Sequence, residues 1–270
     1  MWHDSEMIRC LLHATAAVLL ATGLTGPGSV ASAASAASAA PDPSRDAKGL
    51  RAEIQVALCG PPERIVQALD LQPKGPPIEV WLFDDAGLTL FARGLRLRLR
   101  VAPQGSADLT LKVGDQDCGR VAPGALPPAE GKCEIDVYGT STAGAVSITR
   151  SVDAASTTDL VAGRVPVARA LSAAQARYLR EAVGIWPLPP DVRALGPMRV
   201  RAYRAAHAPY DVDLTSVANR AQFAEISRKV PLAQASAAMQ DLLAHLSRAG
   251  VEVCTDQSSP VDDKFRALRH

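Results

Sequence analysis

The stretch Gly94–Val101 reads GLRLRLRV, so that apolar residues alternate with arginines. Because successive side chains of a β-strand point to opposite faces, this strand has four apolar side chains on one face. The other face carries Arg96, Arg98 and Arg100. Guanidinium groups placed so close repel each other unless water or an anion lies between them. The chain must therefore bury one face of this strand and leave the other to water or to an anion.

A turn at residues 102–106 leads to a second predicted strand, which contains Leu109–Val113. A simple hairpin would place two or three cations at one end of the polar face, where arginine forks suit phosphate oxygens. The predicted cross-strand pairs are Arg96 with Lys112, Arg98 with Thr110, and Arg100 with Asp108.

Other predicted strands are also charged on one face and apolar on the other. Glu53 and Gln55 share a face, as do Glu134 and Asp136, and as do Glu225 and Lys229. In an open sheet these faces would be solvated, whereas in a closed barrel they would line an interior. Strands are predicted at 51–59, 78–83, 94–101, 109–113, 132–138, 145–152, 198–204, 210–214, 223–230 and 251–254, and helices at 63–69, 172–183 and 232–248.

The composition limits the class of partner. The 270 residues carry a formal net charge of +1, and only 4% of them are aromatic. A nucleic-acid-binding surface needs basic patches and stacking rings, so we expect no nucleic-acid partner. Nothing resembling a linker divides residues 50–254, which predicts one domain at 50–256 followed by a tail at 257–270. The sequence leaves the oligomeric state open.

The N-terminus has the layout of a secretory signal peptide. Cys10–Leu24 is an apolar run of 15 residues, shorter than the about 20 that a membrane span needs, and alanine and serine follow it. We therefore predict a signal peptide at 1–36, a flexible lead at 37–49, a periplasmic or secreted protein, and no membrane span after cleavage. An uncleaved anchor or a buried helix is the alternative.

Four cysteines remain after signal cleavage, an even number that suggests disulfides in an oxidising compartment. Cys118 and Cys133 flank a loop rich in glycine and proline and form the natural local pair. Cys59 and Cys254 then pair by elimination, which ties the first strand to the end of the chain. Free buried thiols are the alternative, and no spacing typical of a zinc site occurs.

Several segments, in this order, resemble the signature motifs of the CYTH family, also called triphosphate tunnel metalloenzymes. The order of the motifs is more specific than any one of them. They are Phe83-Asp84-Asp85, Gly94–Arg100, Leu109–Lys112, Lys132–Asp136 and Glu225–Lys229.

The resemblance implies an α+β fold with a closed eight-stranded antiparallel β-barrel, a tunnel, and flanking helices. It also implies hydrolysis of inorganic or organic triphosphates with magnesium or manganese. Phosphate would be bound by Arg96, Arg98, Arg100, Lys112, Arg150 and Lys229. The metal would be held by Glu53, Glu134, Asp136 and Glu225, and the catalytic carboxylates would be Glu53, Glu134 and Glu225.

The first strand departs from the family pattern. Where the family has E-x-E-x-K, this chain has Glu53-Ile-Gln55-Val-Ala57. One carboxylate and one cation are missing, and Asp85 stands where the family has threonine. Two functions therefore stay open: a metal-dependent triphosphatase that binds triphosphate or polyphosphate in a basic tunnel, and a non-catalytic secreted module that binds an anion or another molecule.

Overall fold

The computed structural model describes residues 49–121, 126–127, 130–217, 221–256 and 260–268, so the predicted signal peptide and most of the lead lie outside the described residues. Within this part of the chain the dominant element is a large β-sheet. Its strands are β1 (Arg51–Leu58), β2 (Leu71–Pro73), β3 (Ile78–Asp84), β4 (Leu95–Val101), β5 (Ala107–Val113), β6 (Gly131–Tyr138), β7 (Ser141–Val152), β8 (Arg193–Ala205), β9 (Asp211–Val217) and β10 (Ala221–Pro231).

Nine of these strands close into a barrel in the order β8-β3-β4-β5-β7-β6-β1-β10-β9, with β9 returning to β8. The short β2 adds to β8 outside the ring. The predicted eight-stranded antiparallel barrel is therefore wrong in two details. Strand direction can alternate around a closed ring only when the number of strands is even. With nine strands one pair must be parallel, and this pair is β1 with β6.

Helices and short helical turns surround the barrel in the described residues. They are α1 (Pro62–Ala68), α2 (Thr89–Ala92), α3 (Ala154–Val161), α4 (Val167–Ala170), α5 (Ala173–Tyr178), which continues as a π-helical turn (Leu179–Val183), then a 3-10 turn (Leu232–Gln234), α6 (Ala235–Ala249) and α7 (Pro260–Leu268). None of the described helices is long and apolar enough to cross a membrane.

On most strands the apolar face points outward and is buried under the helices. Leu95, Leu97 and Leu99 of β4 are almost fully buried in one cluster with residues of α3 and the π-helical turn. On another side of the barrel, Ile54 of β1 packs in a cluster with Leu242 of α6. Since side chains alternate along each strand, this burial turns the charged faces toward the interior. The barrel, rather than the open sheet, is the arrangement found.

The predicted hairpin between β4 and β5 is confirmed residue by residue. Arg96 lies opposite Lys112, Arg98 opposite Thr110, and Arg100 opposite Asp108. Alternation and a short turn were sufficient to predict this register, because a slip of one residue would turn four apolar side chains into the interior.

Both predicted disulfides are present. Cys118 and Cys133 have Cα atoms 5.5 Å apart, and Cys59 and Cys254 have Cα atoms 5.0 Å apart. The second bridge attaches the segment after α6 to the end of β1. This segment is not the strand predicted at 251–254, because only Val253 forms a β-bridge.

The C-terminal segment also differs from the tail expected at 257–270. Residues 260–268 form α7, whose Phe265 is fully buried and stacks on Phe91 with 4.5 Å between ring centroids. A segment of nine residues was too short for its periodicity to predict a packed helix.

Gln175 links α5 to the outside of the barrel through hydrogen bonds. Its side chain is fully buried, and Nε2 donates to the backbone oxygens of Leu109 and Ile148 at 3.0 and 2.8 Å. Its Oε1 accepts from the backbone N–H of Ser172 in a capping box. One amide group thus satisfies three buried or partly buried backbone atoms.

We expect Gln175→Leu to lower the free energy of unfolding by about 2–3 kcal/mol, because two buried carbonyl groups lose their donor. Ser172→Ala, which removes only the cap, should cost about 1 kcal/mol. Urea unfolding followed by circular dichroism measures both. Equal stabilities of Gln175→Leu and the native protein would contradict this role.

Candidate functional site: a charged cavity inside the barrel

The barrel encloses a cavity of about 560 Å³ whose walls are highly charged. The charged residues are contributed by inward faces of six strands and by α7. The cations are Arg98, Arg100, Lys112, Lys132, Lys229 and Lys264, and the acids are Glu53, Asp108, Glu134, Asp213 and Glu225. The numbers of cations and acids are nearly equal, so the cavity is not the basic tunnel that the sequence analysis predicts.

Helix α7 packs against one end of this cavity. Phe265 is buried in a cluster with Val80, Leu82, Met198 and Val217 on the inward faces of the barrel wall. From the same helix, Lys264 reaches the cavity lining. In the β3–β4 register Arg100 lies opposite Val80, a residue of this cluster. The cavity is therefore lined by strands along its length and by α7 at one end.

Glu134 is the centre of the largest ion-pair cluster. Lys132 Nζ lies 2.5 Å and Lys229 Nζ 3.0 Å from its carboxylate, and Lys229 also lies 3.5 Å from Glu53. Partial burial acts to raise the pKa of Glu134, but hydrogen bonds and the charges of the two lysines outweigh it and lower this pKa. The same carboxylates raise the pKa of Lys229 against the effect of its burial.

Two further lysines are paired with acids. Lys112 Nζ lies 2.5 Å from Asp136, and Lys264 Nζ lies 3.5 Å from Glu225. Glu225 is also directly opposite Ala57 in the β1–β10 register. Ala57 stands at the position where the family motif has lysine, so Lys264 of α7 brings a cation to the acid that faces this position.

Arg98 differs from the lysines. In the part of the chain that the structure describes it forms no ion pair, and its buried Nε has no hydrogen-bond partner. Burial, with a smaller contribution from the positive charge of Arg100, lowers the pKa of Arg98 to about 9. The guanidinium group is therefore charged at neutral pH without a counter-ion in contact, and an anion in the cavity would stabilise it.

Asp213 is a cavity residue that the sequence analysis missed. It lies opposite Glu225 in the β9–β10 register. Burial and the repulsion from Glu225 raise the pKa of Asp213. Its strand was predicted at Tyr210–Leu214, where Asp211 and Asp213 alternate with apolar residues, but no family motif matches this strand.

Most, but not all, of the predicted phosphate-binding residues lie in the cavity. Arg98, Arg100, Lys112 and Lys229 line it. Arg96 does not line it, and its guanidinium carbon lies 5.9 Å from the centre of the Phe91 ring.

Arg150 is placed outside the cavity, so its predicted role there is wrong. It lies opposite Leu109, which is fully buried on the outer face of the barrel. Its Nη1 donates to the backbone oxygen of Ala170 at 2.9 Å. Alternation along β7 puts Thr149, not Arg150, on the inward face.

The carboxylates predicted to hold magnesium or manganese do not form a metal site in this arrangement. Each of the four contacts a lysine: Glu53 and Glu134 contact Lys229, Asp136 contacts Lys112, and Glu225 contacts Lys264. Among the described residues no three acidic, histidine or cysteine side chains are grouped as ligands. Because hard divalent cations need several free oxygen ligands, the donor set as it stands does not fit such an ion.

Comparison with known proteins identifies the fold. No protein-family model and no curated protein matches the sequence. A candidate adenylyl cyclase from Hippeastrum with a dominant triphosphatase activity superposes with a TM-score of 0.55 over 80% of this chain and 94% of its own, at 17% identity. A candidate adenylate cyclase from Bacillus halodurans has a TM-score of 0.51 over 78% of this chain and 95% of its own, at 13% identity. The chain has the fold of these CYTH-type proteins, which confirms the resemblance seen in the sequence.

We expect Asp213→Asn to raise the free energy of unfolding at pH 7.5. The pKa of Asp213 is higher in the folded than in the unfolded protein, so its ionised form is disfavoured on folding. The stability that it contributes is present at low pH and is lost as the pH rises through its folded pKa. The advantage of the variant should therefore grow from pH 4 to pH 8.

Chemical denaturation at several pH values measures this advantage. Asp241→Asn, on the exposed side of α6, is the control and should show no such pH dependence. The quantity to compare is the stability of the native protein minus that of Asp213→Asn. A larger value at pH 7.5 than at pH 4 would contradict the prediction.

Proposed function

We propose that this protein binds a phosphate-bearing anion in the barrel cavity, with Arg98 as the central contact. The observation that carries the proposal is the guanidinium group of Arg98, whose Nε is buried without a hydrogen-bond partner and which has no counter-ion in contact among the described residues. A buried charge without a partner is costly, and a bound anion would offset this cost. Planar guanidinium groups bind phosphate oxygens through paired hydrogen bonds.

Two hydroxyl groups beside Arg98 support the proposal. Thr110 lies opposite Arg98 in the β4–β5 register, and its Oγ1 is 2.9 Å from that of Thr149. Both residues line the cavity. When one hydroxyl donates to the other, one hydroxyl hydrogen of the pair stays available to a ligand. Arg98 and this pair form a row of donors suited to an oxyanion.

Metal-dependent triphosphate hydrolysis is the second candidate function, and the fold shared with the Hippeastrum protein favours it. Three features oppose it. The four carboxylates contact lysines, Gln55 replaces an acid, and Ala57 replaces a cation. Rearrangement of the lysines would have to precede metal binding. We therefore propose binding as the main activity and at most slow hydrolysis.

We also propose that the protein acts outside the cytoplasm. The apolar run at residues 10–24 supports export, and the two disulfides suit an oxidising compartment.

Arg98→Met keeps much of the side-chain volume and removes the charge. Tripolyphosphate should bind at least about tenfold more weakly, because a hydrogen bond to a charged group is worth about 1.5–3 kcal/mol. Isothermal calorimetry measures the affinity. The variant should unfold at no lower a temperature than the native protein, since the buried charge is gone.

Arg199→Met is the matched control. Arg199 is an exposed residue of β8 between Met198 and Val200, which line the cavity, so it belongs to the outer face. Its substitution should leave tripolyphosphate affinity unchanged. Equal affinities of the native protein and Arg98→Met would refute the proposed site.

For hydrolysis, we expect phosphate release from tripolyphosphate with magnesium or manganese to be well below about 10 per second, an ordinary enzyme rate. The reason is that the carboxylates that a metal would need as ligands form ion pairs with lysines. A colorimetric phosphate assay with and without EDTA is sufficient. Turnover near the ordinary rate that EDTA abolishes would make the second function the correct one.

For export, the mature chain should begin between Ala36 and Ser44, after the small residues that follow the apolar run. Mass spectrometry of protein isolated from the native cell envelope identifies the first residue. A chain that still begins at Met1 or Met7 would contradict export.

A further inference from the structure

One wall of the cavity is apolar. Strands β3 and β8 are neighbours in the barrel, and the cavity residues of both are uncharged. They are Ile78, Val80, Leu82, Met198, Val200 and Ala202. A cavity that held only a highly charged inorganic anion would gain nothing from such a wall, since apolar surface binds apolar groups.

Packing of α7 accounts for part of this wall. Val80, Leu82 and Met198 are at most 4% exposed and belong to the cluster around Phe265. Ile78 and Val200 pack against this cluster and Ala202 is not one of its members, but all three are only half-buried where they line the cavity.

These half-buried residues lie near the arginines. Ile78 pairs with Val200 across β3 and β8, and Val80, two residues after Ile78, pairs with Arg100 across β3 and β4. Leu82 pairs with Arg98. The apolar wall is thus next to the proposed anion-binding side chains within one enclosed space.

We propose that the natural ligand is a monoester of phosphate or diphosphate with an apolar alkyl or aryl group. Its anionic group would contact Arg98 and Arg100, and its apolar group would lie on Ile78, Val200 and Ala202. This inference rests on the proposed function and specifies its ligand class. A volume of about 560 Å³ lies within the range of 300–1,000 Å³ typical of small-molecule pockets, which combine apolar walls with a few polar groups.

The test is a chain-length series at constant charge. Affinities of methyl, propyl, butyl and hexyl diphosphate for the full mature protein are measured by calorimetry, with inorganic pyrophosphate alongside. Each methylene that reaches the apolar wall should strengthen binding about threefold to fourfold, which corresponds to about 0.8 kcal/mol per buried methylene. Arg98→Met should weaken all members of the series by a similar factor.

A substitution in the wall separates the apolar contact from the anion contact. Val200→Thr has nearly the same shape but adds a hydroxyl group, so it should flatten the chain-length dependence and leave pyrophosphate affinity unchanged. Val66→Thr, on the outer helix α1, is the same substitution away from the cavity and should change neither quantity. Ala202→Ser repeats the test at a neighbouring position should Val200→Thr fold poorly.

The outcomes are distinguishable. Pyrophosphate binding that depends on Arg98, together with equal affinities from methyl to hexyl diphosphate, would overturn the ligand class and leave the proposed function intact. If affinity still rises with chain length in both Val200→Thr and Ala202→Ser, the proposed ligand class is also overturned. If neither pyrophosphate nor any diphosphate ester binds, the proposed function and this inference both fail.

Discussion

The burial of the strands' apolar faces on the outside of a closed barrel is the constraint on which the rest of the structure depends. The leucines of β4 and the aliphatic residues of β1 are covered by helices. Alternation then sends every second side chain inward, and those side chains are mostly charged or polar. Enclosed charges need partners, and four lysines obtain them from Glu53, Glu134, Asp136 and Glu225. Arg98 has none among the described residues, which makes it the natural place for an external anion.

Local alternation made the essential features predictable. The register between β4 and β5 depends on one repeated pattern and a short turn, and the outward direction of the leucines follows from the same pattern. Both disulfides were predictable. Cys118 and Cys133 flank a short loop, and Cys59 and Cys254 were then the two cysteines left to pair. Inward placement of Arg98, Lys112 and Glu134 was therefore within reach of the sequence.

Features that depend on contacts between distant segments were not predictable. The count of nine strands and the parallel pair arise only when the sheet closes. Helix α7 is only nine residues long, yet it contributes Phe265 and Lys264 to the barrel end. The resemblance to a family assigned phosphate binding to Arg150, whereas the alternation along β7 in the folded barrel turns it outward. The ion pairs of the four carboxylates could not be read from motifs, because each joins residues of different strands or helices except Lys132 with Glu134.

A crystal structure of the mature protein with tripolyphosphate tests the central claim most directly. The account predicts phosphate oxygens within about 2.7–2.9 Å of the Arg98 guanidinium nitrogens, the usual length of a charge-assisted hydrogen bond, with the Thr110 and Thr149 hydroxyls alongside. Tripolyphosphate bound only to lysines outside the cavity, with Arg98 turned onto one of the cavity carboxylates, would contradict it.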